Sequence, residues 1–409
     1  MDEICKQKFC TGCSACVNVC PRNAIEMQED EWGYIYPYIH ASRCIDCKLC
    51  EKTCPVNHPV VLYAPLKAYA AISKDRHDLQ TSTSGGVSSV LVDCILKSGG
   101  IVYGCIQTNY RQIGHQRITT QEAAFLMKGS KYVHSNIGQA FREVREDLQA
   151  GKTVLFTGTP CQIAGLRNYL RKCYEHLYTV DLVCHGVPAQ KFLRDNVDYL
   201  LREHFPSCNP ENIHVSFRGA EVEKSGKKYG ISLRDKSKDT GPLWVRSFYE
   251  DYFTGGFLAE YLLRENCFEC PYARASRTGD LTIADFWGLG KCSIPVDEGV
   301  SLVLINTEQG EKLYKEAASR LLQEERTVKE AINGNGRLKH PSTAPLNRSQ
   351  FLSLYKTKGF IGASKVCLIP FYHQRRRMER KAFVLQQIKK IPLIDPSLKF
   401  LRKKLRSHD

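Results

Sequence analysis

The sequence predicts an α+β arrangement: a small cysteine-bound N-terminal module over residues 1–60, followed by a larger α/β body with a mixed sheet over 65–370. Three observations predict it. Eight cysteines in the first sixty residues fall into two copies of one spacing. From residue 68 onward, strand-like runs alternate with helix-like runs, the pattern of a parallel or mixed sheet with crossover helices. A chain of 409 residues also exceeds what one hydrophobic core serves, so more than one domain is expected.

Apolar residues make up 43% of the chain, which is ordinary for a globular protein; the 19 cysteines are not ordinary. So many thiols belong either to a secreted disulfide scaffold or to a metal protein of a reducing compartment. The opening MDEICKQKFC has neither a basic n-region nor an apolar h-region, so no signal peptide is expected. No apolar run is long enough to span a bilayer. A cytoplasmic location follows as the expectation, with clustered cysteines acting as metal ligands. The net charge of +15 is concentrated at one end: residues 371–409 hold twelve Lys/Arg against three Asp/Glu. The body is only mildly basic and needs no polyanion partner, so no nucleic acid is expected.

The module is built on Cys10-x2-Cys13-x2-Cys16-x3-Cys20-Pro21 and on Cys44-x2-Cys47-x2-Cys50-x3-Cys54-Pro55. Each matches the bacterial ferredoxin run, in which three cysteines hold one cluster and the fourth ligates the other. Two intervening residues let a tight loop aim successive thiolates at one cubane, and the proline stops that loop. One 4Fe–4S cluster is therefore assigned to Cys10, Cys13, Cys16 and Cys54, and the other to Cys44, Cys47, Cys50 and Cys20. Zinc sites instead show pairs of cysteines without the trailing Cys-Pro. Cys5 lies outside the pattern and reads as a bystander. Two closely spaced one-electron centres without a substrate pocket conduct electrons.

Residues 57–66, with two prolines, read as a linker. Strands are then predicted at 68–73, 101–107, 153–158 and 178–184, and helices at 87–97, 135–149, 160–172 and 188–204. Residues 213–250 become strand-rich. Strands follow at 281–288 and 300–307, with a helix at 308–322; the segment from about 329 to 350 reads as loop before a short helix.

Three features of the body carry candidate chemistry. Thr83-Ser84-Gly85-Gly86 precedes a helix, and its glycines and free N–H groups suit a phosphate or pyrophosphate, although a Ser-rich N-cap explains the same residues. GTPCQ (158–162) and DLVCHG (181–186) sit where strands end. If the two strands are neighbours, Cys161 and Cys184 share the carboxyl edge of the sheet, where open α/β sheets place ligands. Cys267-x2-Cys270 supplies half a metal site, and Cys161 with Cys184 would complete four ligands for a third cubane. A zinc site or a redox-active thiol pair are the rivals. Cys94, Cys105, Cys173, Cys208, Cys292 and Cys367 have no companions at ligand spacing and read as structural.

With TSTSGG (81–86), KGSKYV (128–133), GTPCQ, DLVCHG, CFECPY (267–272) and GDLTIADFWG (279–288) in this order, the chain resembles the coenzyme F420 hydrogenase/dehydrogenase beta-subunit family over about 68–290. With the two-cluster ferredoxin in front it looks like the electron-input subunit of an F420H2 dehydrogenase. It is also similar to the ferredoxin-dependent chlorophyll-pigment reductases of that family. The resemblance implies a flavin-binding α/β domain holding FAD, with an iron–sulfur centre close by. Carried over by motif, Ser84, Gly85 and Gly86 would face the FAD pyrophosphate. Lys131 would lie near the isoalloxazine ring, where a positive charge stabilises the anionic reduced form; the plain alternative is a surface lysine. Cys161, Cys184, Cys267 and Cys270 would hold the third cluster, and His185 would be a proton donor or a hydrogen-bonded structural histidine.

The expected activity is that of an iron–sulfur flavoprotein oxidoreductase. It would pass electrons between the clusters and a small two-electron substrate, coenzyme F420 or another organic compound. The alternatives are an electron-transfer subunit without a substrate of its own and, far behind, a nucleic-acid-binding protein with structural clusters. A ferredoxin-like donor or acceptor, or a larger complex, is the expected partner. The tail 371–409, basic and amphipathic but broken at Pro392 and Pro396, would meet an anionic membrane surface, an acidic partner or the module itself, or remain solvated.

Overall fold

A computed structural model of the chain describes residues 3–218, 230–296 and 299–390. The two cysteine runs fold alike. Ser14 and Lys48, both left-handed with φ of 60° and 58°, open the short helices Ala15–Val19 and Leu49–Thr53, and each helix stops at an extended cysteine, Cys20 and Cys54. Two strands complete the module, β1 (Ile25–Glu29) and β2 (Ile35–Ile39), paired antiparallel from Ile25↔Ile39 to Glu29↔Ile35.

The body is built on an eight-stranded mixed sheet. Its strands are β3 (Lys67–Ser73), β4 (Ile101–Asn109), β5 (Gln112–Ile118), β6 (Val154–Gly158), β7 (Leu177–Leu182), β11 (Leu281–Asp285), β12 (Ser301–Ile305) and β13 (Leu321–Arg326), in the order β13-β3-β12-β11-β7-β6-β4-β5. The run β11-β7-β6-β4 is parallel and the remaining pairs are antiparallel. Apolar runs such as Val154-Leu155-Phe156 are fully buried, as strands covered on both faces require. Helices Val87–Lys97 and Glu308–Ala318 join one core, with Val102, Leu155, Val180 and Val303. Helices Ala140–Gln149 and Pro160–Leu170 join another, with Tyr103, Val154 and Phe156. A separate core gathers helix Gln190–His204, helix Arg348–Cys367 and a three-stranded antiparallel sheet of β8 (Ile213–Ser216), β9 (Gly230–Asp235) and β10 (Trp244–Ser247).

Several expectations change. Strands β5 and β13 lie in segments assigned no strand, because neither QIGHQRI nor LLQEER carries a buried run: each is an edge strand with outward polar residues. The helix expected from 135 begins at Ala140, since Gln162 Nε2 donates to Ser135 O and His115 Nδ1 binds Ser135 Oγ, which holds that segment extended. The segment expected as loop contains helix Val328–Gly334, capped by Thr327, and the short helix expected after it spans the twenty residues Arg348–Cys367, interrupted at Gly359. Helix Ile369–Lys390 occupies the first part of the basic tail; residues 391–409, with Pro392 and Pro396, lie outside the described residues. Among the described residues no helix is long and apolar enough to cross a membrane.

The module is seated on the body. Arg142, from helix Ala140–Gln149, donates to Asn18 O (2.7 Å), Val17 O (3.1 Å), Cys20 O (2.9 Å) and Asn23 Oδ1 (2.8 Å), covering the carbonyl end of the first module helix. Tyr34 OH donates toward Leu262 O and Leu263 O, both at 3.0 Å. The segment read as linker is pinned as well: Tyr63 exchanges two backbone hydrogen bonds of 2.8 Å with Arg277.

Candidate redox site

Strands β6 and β7 are parallel neighbours, with Gly158 opposite Asp181. Cys161 follows β6 and Cys184 follows β7, so the two reach the same sheet edge. Helix Pro160–Leu170 begins there because Thr159 and Gln162 close a capping box, Gln162 Oε1 accepting from Thr159 N at 3.0 Å, and Pro160 supplies a preset φ. Cys267 and Cys270 arrive on the turn before β11. Burial raises all four, Cys184 and Cys267 to about 12 and Cys161 and Cys270 also upward; neighbouring thiols add to the rise of Cys161, Cys184 and Cys267, whereas backbone N–H groups, Arg277 and Arg274 oppose it at Cys270. Four cysteines from distant positions thus gather in one group, with Cys267 buried and Cys161, Cys184 and Cys270 half-buried. Left as free thiols they stay protonated; a cationic metal centre would bind them as thiolates.

The module presents two more groups. Cys10, Cys13, Cys16 and Cys54 are buried, and Cys16 feels Cys13, Cys10 and Cys54. Cys20, Cys44, Cys47 and Cys50 line one cavity with Pro21, Ile25 and Ile39. The residues that the spacing assigns to each group thus stand near one another, and Cys16 also feels Cys50 of the other group. Among the described residues no three His, Cys, Asp or Glu side chains close on a single-ion site; a cubane sets its thiolates farther apart than one ion does.

The groups are neighbours. Gly165, one helical turn after Cys161, faces the module so closely that a Cβ there would stand 2.9 Å from Cys13 Sγ. Tyr272 is buried, and its phenol, raised first by burial, feels Cys161, Cys13, Cys270 and Cys54. It therefore lies close to members of both the Cys10 and the Cys161 groups. The tetrad of Cys20 faces outward, with Cys47 exposed.

Beneath the Cys161 tetrad lies a buried polar hub. Asp181, 0% exposed, pairs with Arg277, 1% exposed, at 2.9 Å. Asp181 also accepts from Thr278 N, Thr278 Oγ1, Gly279 N and Thr282 Oγ1 at 2.7–3.0 Å.

The phosphate-type feature has a mixed outcome. Gly85 is required by packing, since a Cβ would fall 2.3 Å from Ala71 O and 2.8 Å from Ser301 N. The helix after Gly86 begins without a side-chain cap, leaving first-turn N–H groups available, and the Thr83 and Ser84 hydroxyls stand beside it, near Ser130 (3.2 Å) and Ser301 (3.4 Å). That donor set fits a phosphate.

Lys131 is not a free surface charge. Its ammonium donates to Leu126 O (3.0 Å), Met127 O (2.6 Å) and Lys128 O (2.9 Å), and burial lowers its pKa to about 8. All three of its protons are engaged. His185 is lowered to about 4, by burial and then by Arg337, so at neutral pH it is uncharged and a poor acid. It packs edge-on against Phe257, and its Nδ1 accepts from Arg337 Nε at 3.4 Å.

Sequence reasoning missed Cys5 and Arg264. The Cys5 thiol stands beside Cys10 and Cys54 and lowers both. Arg264 is buried between Cys10 and Cys267. No motif marks either; only its lying three residues before Cys267 set Arg264 apart.

Residues 151–331 match the family described as the C terminus of the coenzyme F420 hydrogenase/dehydrogenase beta subunit, and residues 9–58 match the 4Fe–4S dicluster domain. An uncharacterized ferredoxin of Methanocaldococcus jannaschii is 37% identical over 57 residues, which cover 14% of this chain and 73% of the ferredoxin. An uncharacterized polyferredoxin-like protein of the same organism is 38% identical over 58 residues, covering 12% of this chain and 34% of that protein. Among solved structures, a chain of the F420-reducing NiFe hydrogenase complex from Methanosarcina barkeri is similar at 17% identity and a TM-score of 0.42, covering 79% of this chain and 94% of its own.

Proposed function

The chain belongs to the coenzyme F420 hydrogenase/dehydrogenase beta-subunit family and carries a 4Fe–4S ferredoxin domain at its N-terminus, and on that basis we propose that it is an iron–sulfur flavoprotein oxidoreductase joining one-electron carriers to a small two-electron substrate. The observation that carries this reading is the third cysteine group: the sheet edge assembles Cys161, Cys184, Cys267 and Cys270 directly against Cys13 of the module. Bound 4Fe–4S clusters supply single-electron transfer, and a bound FAD supplies the exchange of one or two electrons that links them to a hydride-type substrate.

The residues then divide the work. Cys20, Cys44, Cys47 and Cys50 hold the outer cluster, where the exposed Cys47 side meets a redox partner protein or complex. Cys10, Cys13, Cys16 and Cys54 hold the inner one, and Cys161, Cys184, Cys267 and Cys270 the third. Tyr272, buried beside members of the inner and third groups, would shield them from water. The uncapped helix start at Gly86, with Ser84 and Gly85, receives the FAD pyrophosphate. Lys131, anchored on three carbonyls, acts through buried charge rather than by a direct hydrogen bond. Coenzyme F420 or another small organic compound is the substrate class, and the exposed arginines of helix Ile369–Lys390 face an anionic surface.

Anaerobic purification followed by iron, sulfide and flavin analysis tests this. About twelve irons and about one FAD per chain are expected. About eight irons would remove the third cluster. Full iron without flavin would favour a relay subunit with no substrate of its own. Assays with reduced ferredoxin, NAD(P)H and reduced F420 then identify the donor; exchange with none of them would end the enzyme reading.

A further inference from the structure

Arg264 is 1% exposed. A guanidinium does not lose its proton in a protein, so burying it requires acceptors or a counter-charge. The protein supplies these only in part. Nε donates to Cys10 O at 2.8 Å, and the guanidinium lies 4.2 Å from the Tyr36 ring centroid. Nη1 and Nη2 are buried and meet no acceptor of ordinary geometry among the described residues. Nη1 stands at the loop between Cys10 and Cys13, and the Arg264 carbonyl accepts from Cys267 N at 2.9 Å, so the arginine borders both thiol groups.

The cysteine loop is shaped to admit this cation. Gly12, between Cys10 and Cys13, has a φ of +68°, and a Cβ there would stand 3.3 Å from Arg264 Nη1 and 2.6 Å from His134 Cε1. His134 brings no second charge: burial, then Arg264 itself, pushes it down to about 3. The nearby carboxylate of Asp30 feels Arg264 only after burial and two backbone N–H groups, and it forms no ion pair with it. A buried cation with open donors between two thiol groups lacks an anion, and a thiolate-bound cluster is one.

We propose that Arg264 is a positioning residue: the counter-charge shared by the cluster at Cys10 and the cluster at Cys267, which makes the Cys10 cluster easier to reduce by offsetting the electron it gains. This rests on the cluster reading above. Reduction adds one electron and moves no proton at Arg264. Net charge and hydrogen bonds to sulfur are the terms that set cluster potentials.

The test is an EPR-monitored redox titration with dithionite on the anaerobic full chain, comparing wild type, R264Q and R264K, with iron and sulfide measured on each. R264Q is expected to keep its iron and to lower the reduction equilibrium of one cluster at least tenfold, about 59 mV for one electron. The outer cluster should not move, and R264K should recover most of the loss. Potentials in R264Q that all stay within about threefold of wild type, or that all fall together, overturn the proposal. If R264Q loses iron, R264K decides: restored iron supports a role for the charge, and an equally iron-poor lysine variant refutes it. An iron-free wild type would bring down the cluster reading itself, whereas iron-loaded chains with unmoved potentials bring down this inference alone.

Discussion

His115 illustrates how burial rather than motif assigns a residue its role. Its Nε2–H donates to Thr157 O and its Nδ1 accepts from Ser135, both at 2.8 Å, and its ring stacks on Phe156. Burial lowers it to about 4. The unfolded chain takes up that proton below about pH 6.5, the folded chain only near the lower value. Between the two the unfolded state binds more protons, so stability falls as the pH drops through that window, by about 2 kcal/mol at pH 5 for this one group. The Tm of wild type should therefore fall more between pH 7.5 and pH 5 than that of H115Q, whose amide keeps both hydrogen bonds without titrating. Equal losses would show that another group controls the acid limb. The ferredoxin cysteines were legible from spacing alone, because a cluster ligand is defined by local chain geometry. Arg264 and His115 were not, because charge and burial depend on what packs against a side chain. Lys131 shows the same limit: its motif position was visible, but not the three carbonyls that engage its ammonium.

Among the elements, β6, β7 and β11 meet at Asp181. Its carboxylate gathers Arg277, Thr278, Gly279 and Thr282, and Arg277 in turn donates to Leu182 O (2.8 Å) and Tyr272 O (3.0 Å). The hub thereby ties the strand ends that carry Cys184 and the turn that carries Cys270. D181N leaves a buried guanidinium without its anion, which costs about 3–5 kcal/mol. A clear fall in Tm together with lower iron content is expected, and a Tm within about 2 °C of wild type would contradict this account of the hub. Most elements were legible in advance. Helix Val87–Lys97 and strands β3, β4 and β6 carry uninterrupted apolar patterns of the right period. Edge strands β5 and β13 were not, since half of each faces solvent and a two-residue period blurs in so short a polar segment.

Over the whole molecule, the module is part of one packed structure rather than a tethered carrier. Cys13 and Ala15 share a core with Phe141, Phe156 and Leu166 of the body. Arg142 holds the carbonyl end of the helix that carries Cys16, and Arg194 pairs with Glu29 at 2.7 Å. Charge-assisted hydrogen bonds of the Arg142 kind are worth about 1.5–3 kcal/mol each at most, and several act together here. R142A should loosen the seat. Limited proteolysis within 57–66 should speed up, and iron should leave the module faster than the body; an unchanged cleavage pattern would show that apolar packing alone holds it. The order of residues was enough to specify the ferredoxin module, the βα succession of the body and the motifs of the family resemblance, because spacing and period act within a few residues of chain. Folding in three dimensions was needed to bring Cys161, Cys184, Cys267 and Cys270 together, to lay Cys13 against the helix of Cys161, and to bury a lone arginine between two thiol groups. Those are contacts between residues as far as 254 positions apart, set by strand order and by the close packing of buried faces, which no local pattern encodes.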